Sequence, residues 1–374
     1  MANTLTNLIP SAYEALDVVS RELVGLIPSV NRTSTADRVA KDQTLYVPIA
    51  PANTTSDITP AMTVTAASDQ TIGTKSLTIS NYKVSSFGYT GEEMNSLDAG
   101  PGSANVVRDQ IAQALRVHVN EIELAVYNAA KIAASRAYGT AGTAPFASNL
   151  ADPANIKKIL DDNGAPMADR SLVIDTTAGA ALRTLAQLTK ANEANDSSLL
   201  RQGTLLDLHG FAVRESAQIA SHTAGTGASY QLNGAHSAGA TTITVDTGSG
   251  TVLAGDVVTI NSVKYVVATA LSSGSFTINA PGLRTALSDN TAVTVNAAHV
   301  KNLGFSRNAI LLATRLPKAG SQDLAVDRQV ITDPRSGLSF ELAMYPGYRM
   351  NKVEVAIAYG VSVVKPEHLA VLLG

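Results

Sequence analysis

One serine of this sequence has the local spacing of a catalytic nucleophile. In Ala235-His236-Ser237-Ala238-Gly239 a small residue lies two positions before and two positions after Ser237, as in the nucleophile elbow of serine hydrolases. The elbow needs a strand before the serine and a helix after it, because that turn exposes the hydroxyl. Here TTITVD follows, and its β-branched residues predict a strand. We therefore expect Ser237 in a polar turn and keep a serine hydrolase using Ser237 as the weaker functional alternative.

Metal ligation has two candidates, and both have a simpler interpretation. His118 and Glu121 are one helical turn apart, but such a pair on an amphipathic helix usually belongs to a solvated face. The run Asp161-Asp162-Asn163-Gly164 begins like a calcium loop, yet Ala165 and Pro166 follow where an EF-hand continues with alternating ligands. We interpret this run as a helix stop with a turn.

No other chemical motif stands out in the sequence. It contains no HExxH pair, no GxxxxGK[ST] loop and no GxGxxG after a strand. We therefore predict that the protein is not an enzyme, that it has no catalytic, cofactor-binding or metal-binding residue, and that it takes no cofactor.

The amino-acid composition excludes several classes of protein and site. The 374 residues are 45% hydrophobic and 16% charged, with a net charge of −3 and neither cysteine nor tryptophan, which excludes disulfides and thiolate metal sites. Arg21 is the only basic residue among the first thirty, so the chain lacks the basic arm that gathers nucleic acid. No apolar run predicts a transmembrane helix, and the start of the chain does not read as a signal peptide.

The elements that would position any site follow from periodicity. Residues 1–30 predict a short helical arm. Residues 42–90 hold two strand-like stretches, Gln43 to Ile49 and Ser76 to Tyr89, around a polar middle, which predicts an extended two-stranded loop. Such a loop has little core of its own, so we expect it to lie on a neighbouring subunit. The inferred subunit contacts are Thr44, Leu45, Tyr46, Val47, Leu77, Ile79, Tyr82 and Tyr89, and we expect Lys75 and Lys83 to be ordinary exposed lysines.

The middle of the chain predicts a long helix and then an α+β region. Residues 103–138 contain no glycine or proline, carry one apolar face and would span roughly 50 Å as a helix. Residues 152–220 alternate between helix and strand patterns. Residues 222–299 show five short strand patterns separated by turns, which predicts a small all-β barrel or sandwich. Because strand-rich sequence like that of the α+β region resumes after residue 299, we interpret residues 222–299, which we call the β block, as an insertion.

Three segments resemble the major capsid proteins of tailed bacteriophages with the HK97-type fold, in the P22-type form that carries an inserted β-domain. The ending VEVAIAYGVSVVKPEHLAVLL resembles the family's ending, with Tyr359, Gly360, Val361, Lys365, Pro366 and Glu367. GAHSAGATTITVDTGSGTVLAGDVVTINSVKYVV, with its turn at Gly255 and Asp256, resembles the start of the family's insertion domain. NEIELAVYNAAKIAAS resembles its spine helix, around Asn120, Glu121, Glu123, Leu124 and Asn128.

The resemblance implies an α+β HK97-like fold with six parts. They are an N-terminal arm (1–41), an extended loop called the E-loop (42–92), a spine helix with P-domain (93–151), a first part of the A-domain (152–221), an inserted β-barrel-like domain (222–299), and a last part with the rest of the A-domain, P-domain strands and C-terminus (300–374).

The resemblance also implies a function and partners. The chain would self-assemble into pentamers and hexamers of an icosahedral shell around double-stranded DNA, without sequence-specific DNA binding and without a membrane. A scaffolding protein and a portal would take part, and assembly from procapsid to virion would occur in the host bacterial cytoplasm. The main rival is another phage or surface-layer structural subunit, which would be expected to repeat its β domains; the sequence has no such repeat.

Overall fold

The computed structural model describes residues 22–50, 53, 55, 57–60, 62–63, 71–98, 103–189, 207–320, 323–333 and 336–374. Residues 1–21 of the predicted arm lie outside this set. Residues 22–30 form an extended segment and a turn, so the prediction of helix is wrong there. The backbone N–H groups of Gly25, Leu26 and Ile27 donate to the buried carboxylate of Glu123, and this arrangement competes with helical hydrogen bonding.

The described residues form five α-helices, of which one is much longer than the others. None of the helices in the described part is long and apolar enough to cross a membrane. The helices are α1 (Gly91–Asp98), α2 (Ser103–Ala133), α3 (Ala151–Asp162), α4 (Thr176–Thr184) and α5 (Ala186–Thr189).

Twenty strands form most of the rest of the described residues. In chain order they are β1 (Asn31–Val39), β2 (Gln43–Ile49), β3 (Gly73–Ile79), β4 (Asn81–Thr90), β5 (Arg136–Tyr138), β6 (Arg170–Ile174), β7 (Phe211–Glu215), β8 (Ser221–His222), β9 (Tyr230–Leu232), β10 (Thr242–Asp246), β11 (Val257–Ile260), β12 (Val263–Ser272), β13 (Ser275–Ile278), β14 (Ala292–Val295), β15 (His299–Ser306), β16 (Ile310–Pro317), β17 (Asp327–Thr332), β18 (Ser339–Gly347), β19 (Met350–Val363) and β20 (Leu369–Leu373).

The long predicted helix is confirmed as α2, but it ends at Ala133 rather than near residue 138. Its apolar face, including Val119, Ile122 and Val126, is fully buried in the main hydrophobic core. The side-chain amide of Asn279 donates to the carbonyls of Ile132 and Ala134, which stops the helix. The next residues form β5, because they pair with β20 and β12 instead.

A six-stranded sheet packs against α2. Its long strand β19 pairs antiparallel with β16, β18 and β4, while β1 and β17 form its edges. The single strand predicted over Ser76 to Tyr89 is in fact two, since the chain leaves β3 and joins this sheet as β4. Strand β1 was not predicted, because NRTSTADRV has few apolar residues and its parallel partner β16 is far along the chain.

A second sheet holds β5, β20, β15, β6 and β7 in that order, with α3 and α4 beside it. Strands β11, β14, β9, β10, β13 and β12 pair antiparallel in a ring, and the β11–β12 pairing closes it. The β block is thus a six-stranded closed barrel with its own apolar core. One edge of the barrel continues into the second sheet, because β12 pairs with β5.

Candidate assembly surface

Ser237 lies in an exposed turn between β9 and β10, as predicted. The strand β10 follows it, so the helix that a nucleophile elbow requires is not there. The neighbouring His236 is engaged elsewhere: its Nδ1 meets the Gly234 carbonyl at 3.0 Å, and its Nε2 accepts from the Thr244 amide at 3.1 Å. This geometry gives Ser237 neither an activating base nor an oxyanion hole built on a helix.

The two metal candidates are also occupied by other partners. His118 is buried, so the expectation of a solvated face is wrong for it. It points into the six-stranded sheet, where its Nε2 meets the Val355 carbonyl at 2.9 Å. Burial lowers the pKa of His118, so its ring stays neutral near pH 7. Glu121 instead pairs with Lys83 at 2.7 Å. Among the described residues no group of three or more His, Asp or Glu side chains is arranged to hold a metal ion.

The acidic run at the end of α3 is confirmed as a helix stop. Asp161 pairs with Arg170 at 2.7 Å, and Asp162 pairs with Arg284. The side-chain amide of Asn163 donates to the Glu367 carbonyl at 2.7 Å. These contacts connect α3 to neighbouring elements. The carboxylates of Asp161 and Asp162 are both engaged in ion pairs with arginines.

The two-stranded loop is present as a hairpin, β2 with β3, in the register Gln43 to Ile79 through Ile49 to Gly73. Residues that pair directly lie on the same face of a hairpin. Its first face carries Leu45 opposite Leu77, and its second carries Tyr46 opposite Ser76. The first face is therefore mainly apolar, and the second is polar apart from the Tyr46 ring.

The apolar face of the hairpin packs on the chain itself, but only near its base. Leu77 and Ile79 are fully buried with Val39, Ala313 and Ala358. Their side chains are enclosed by the same subunit, so we do not carry them forward as contacts to a neighbour. Leu45 and Val47 are partly buried against the same cluster. Tyr82 donates its hydroxyl to the Val39 carbonyl at 2.5 Å, and burial raises its pKa.

The outer part of the hairpin exposes large apolar side chains. Tyr46 is 70% exposed, and Ile72 is 67% exposed. Ile58 and Met62, in the segment that joins β2 to β3, are completely exposed. Thr44 lies on the same face as Tyr46 and meets Thr78 through their hydroxyls at 3.3 Å. Tyr89 is partly buried on β4 beside Phe87. Lys75 and Lys83 are exposed, as predicted.

A second exposed apolar area lies at the β17 edge of the six-stranded sheet. Strand β17 pairs with β18 along one side. We call the exposed apolar residues around this edge the β17 patch: Leu324, Val326, Val330, Met344, Tyr348 and Met350. They lie on both faces of the sheet, because Val330 pairs with Glu341 and Met344 pairs with Asp327, three residues away along β17. Exposed apolar patches at a strand edge mark interaction surfaces in soluble proteins. The described residues therefore expose large apolar side chains in two separate regions.

The fold has a counterpart among solved structures. A chain from Mycobacterium phage Che8 superposes with a TM-score of 0.52 at 15% identity, covering 99% of this chain and 98% of that one. This chain has the fold of that phage protein. A structure titled as the asymmetric unit of the bacteriophage PhiM1 mature capsid gives a TM-score of 0.49 at 13% identity, with 92% and 85% covered. One titled as the capsid of Cyanophage P-SCSP1u gives 0.49 at 14%, with 100% and 92% covered. No family model and no curated protein sequence matches the chain.

Sequence reasoning missed two buried polar clusters that the structure shows. Glu123 is fully buried and accepts hydrogen bonds from the backbone amides of residues 25–27. The sequence pattern that could have indicated this cluster is a charged residue inside the apolar stripe formed by Val119, Ile122 and Val126. Lys301, Asp256 and His222 meet between the barrel and the second sheet. Nothing in their spacing brings these three residues together, because they lie on elements that only the folded topology makes adjacent.

Proposed function

We propose that this chain is the major capsid protein of a tailed bacteriophage, and that many copies assemble into the icosahedral shell that encloses the double-stranded DNA genome. The observation that carries the proposal is the hairpin β2–β3 with its connecting segment, whose described residues expose Tyr46, Ile58, Met62 and Ile72. The likeness in fold to the Che8 chain, which covers 99% of this chain, supports it.

The exposed hairpin favours an assembling subunit over a monomer for an energetic reason. Burial of apolar surface contributes about 25 cal/mol per Å2. Burying the four large apolar side chains against a neighbouring subunit would therefore stabilise the assembly by several kcal/mol. The β17 patch offers a second such surface on the same subunit. A closed shell needs at least two different contact surfaces on each subunit, and these two are our candidates. Thr44, Leu45, Tyr46, Val47, Tyr82 and Tyr89 remain the proposed contact residues of the hairpin side.

The parts of an HK97-type subunit map onto the structure as follows in our proposal. Residues 42–92, which include the hairpin, act as the E-loop, α2 acts as the spine helix, strands β16 to β19 act as P-domain strands, and the second sheet acts as the A-domain. The closed barrel acts as the domain inserted at residues 222–299. Residues 1–41 act as the arm.

The charge of the chain fits a container for DNA that does not bind it tightly. The net charge is −3, and a neutral or acidic inner wall lets packaged DNA slide because few counterions are released. Packaging then requires other proteins, and we propose a scaffolding protein and a portal as partners. The subunit would act in the virion after assembly in the bacterial cytoplasm.

Paired variants test the role of the hairpin. We expect the double variant Ile58→Ser, Met62→Ser to shift the protein from large particles to free subunits in sedimentation velocity, with the melting temperature of the subunit unchanged. The matched control is Met167→Ser, since Met167 is equally apolar and strongly exposed but lies in the turn before β6. Normal particles from the hairpin variant, or an equal loss in the control, would count against the proposed contact.

A further inference from the structure

A cleft of about 710 Å3 lies between α3 and the β11–β12 turn of the barrel. Its walls also include β5 and the loop that follows β5 at residues 139–149. Small-molecule sites in proteins usually have volumes of about 300–1,000 Å3. The cleft therefore has the size to hold a small molecule rather than a single ion.

Four cationic side chains line this cleft, and only two carboxylates do. The cations are Arg136 on β5, Lys158 on α3, Lys264 on β12 and Arg284 after β13, and the carboxylates are those of Asp152 and Asp162. The lining therefore carries two positive charges in excess, although the net charge of the whole chain is −3. This local excess predicts an anionic ligand.

Both carboxylates of the cleft already have partners. Asp162 pairs with Arg284, and it also lies 3.6 Å from a terminal nitrogen of Arg136. Two guanidinium groups therefore share one negative charge. The Asp152 carboxylate accepts a hydrogen bond from the Phe146 amide at 2.7 Å. Neither carboxylate is left to neutralise the two lysines.

The two lysines have no carboxylate partner among the described residues. Lys158 is exposed, and the ammonium group of Lys264 donates to the carbonyl of Gly139. Burial lowers the pKa of Lys264. Burial and repulsion from Arg284 lower the pKa of Arg136. A bound anion would oppose both shifts, because it favours the protonated forms.

Arg136 also keeps one unsatisfied donor. Its side chain is only 6% exposed, and its Nη2 group donates to the Ile159 carbonyl at 3.1 Å and to Asn163 Oδ1 at 2.8 Å. Its buried Nε–H group has no acceptor in the described part of the chain, and such orphaned donors often mark a place where an ion or water belongs. Neutral donors also line the cleft, in the hydroxyls of Thr140, Thr143, Ser148 and Ser262.

We propose that the four cations of this cleft bind a small molecule that carries two or more phosphate groups. Phosphate oxygens accept the charge-assisted hydrogen bonds that lysine and arginine donate, and two excess positive charges favour an anion with more than one charge. Lys264 and Arg284 belong to the barrel, whereas the other two cations belong to β5 and α3. The bound molecule would therefore bridge the barrel and the second sheet. This site follows from the subunit's own residues and does not depend on the proposed function.

Isothermal titration calorimetry of the full-length chain with pyrophosphate and with ADP tests the site. Potassium chloride holds the ionic strength constant, because salt screens exposed charges. We expect one molecule bound per chain with a Kd below about 1 mM. Tighter binding of ADP than of pyrophosphate would identify a nucleotide as the ligand, and equal or weaker binding of ADP would identify an inorganic polyphosphate. Failure of both compounds to saturate the chain by about 10 mM would overturn the site.

Lysine variants show whether the binding occurs in this cleft. Lys264→Met should weaken pyrophosphate binding about tenfold or more, and Lys158→Met should weaken it about three- to fivefold, because water screens this exposed charge. The matched control is Lys157→Met, since Lys157 lies next to Lys158 on α3 but does not line the cleft. Lys158→Met changes an exposed residue, so it tests the site even if Lys264→Met does not fold. Wild-type affinity in either folded variant, or an equal loss in the control, would overturn the proposal.

Discussion

Replacing Glu123 tests how the start of the described chain is fixed to the long helix α2. The Glu123 carboxylate accepts hydrogen bonds from the backbone amides of Gly25, Leu26 and Ile27 at 2.7–2.8 Å, and from the Ser216 hydroxyl at 2.7 Å. All four bonds are buried. A single carboxylate therefore joins the segment before β1, the helix α2 and the residue after β7.

The expected magnitudes follow from what each variant leaves unsatisfied. Glu123→Ala leaves three buried amides and one buried hydroxyl without a hydrogen-bond acceptor. We therefore expect a loss of about 3–5 kcal/mol in the free energy of unfolding, as when a buried charged network is broken. Glu123→Gln keeps one oxygen but turns an N–H group toward the Ile27 amide, which should cost about 1–3 kcal/mol. The matched control is Glu121→Gln, two residues earlier on α2. It loses a partly exposed pair with Lys83 but keeps an oxygen that can accept from the Tyr359 hydroxyl, so we expect a cost below about 1 kcal/mol.

Urea unfolding of the unassembled subunit, followed by far-ultraviolet circular dichroism, measures these differences. The order of loss should be Glu123→Ala, then Glu123→Gln, then Glu121→Gln. If Glu123→Gln were no more destabilising than Glu121→Gln, the four buried bonds would not hold the segment in solution, and the reasoning would fail.

Three further predictions follow from the same structure. Leu77→Ala at the buried base of the hairpin should lower the free energy of unfolding by about 2–5 kcal/mol, whereas Tyr46→Ser should leave subunit stability unchanged and weaken assembly; urea unfolding and sedimentation separate the two effects. Burial lowers the pKa of His299 to about 4, so the unfolded chain binds a proton that the folded chain does not, and stability should fall as pH drops from about 6.5 to 4; His299→Gln should reduce the slope of a urea-midpoint profile over that interval, with the remaining slope coming from groups such as His118. Because His222 and His299 are paired neighbours, a short glycine-serine linker can replace residues 223–298. Val257, Val266 and Asn279 then leave the surroundings of α2, so the variant should keep its helical circular dichroism signal but unfold at a lower urea concentration; an unchanged urea midpoint would contradict this prediction.

The periodic elements could be predicted from sequence because each depends on local side-chain patterns. Helix α2 follows from its apolar face, and the five barrel strands that were predicted, β10 to β14, follow from β-branched runs between turns. The hairpin β2–β3 could also be predicted, because apolar and polar residues alternate along its strands but not along the residues between them.

The elements that sequence reasoning missed depend on contacts between distant segments. Strand β1 is polar and is held by parallel pairing with β16. The end of α2 is set by the Asn279 side chain, which arrives from the barrel. The burial of Leu77 and Ile79 could not be anticipated either, because their partners Ala313 and Ala358 belong to β16 and β19. Local patterns carry no information about such partners.

Negative-stain electron microscopy of the purified chain, alone and co-expressed with the products of neighbouring open reading frames, tests the central claim most directly. We predict closed icosahedral shells or sheets of pentamers and hexamers in at least one of the two preparations. A monodisperse monomer or dimer in both, from a chain that circular dichroism shows to be folded, would contradict the capsid assignment.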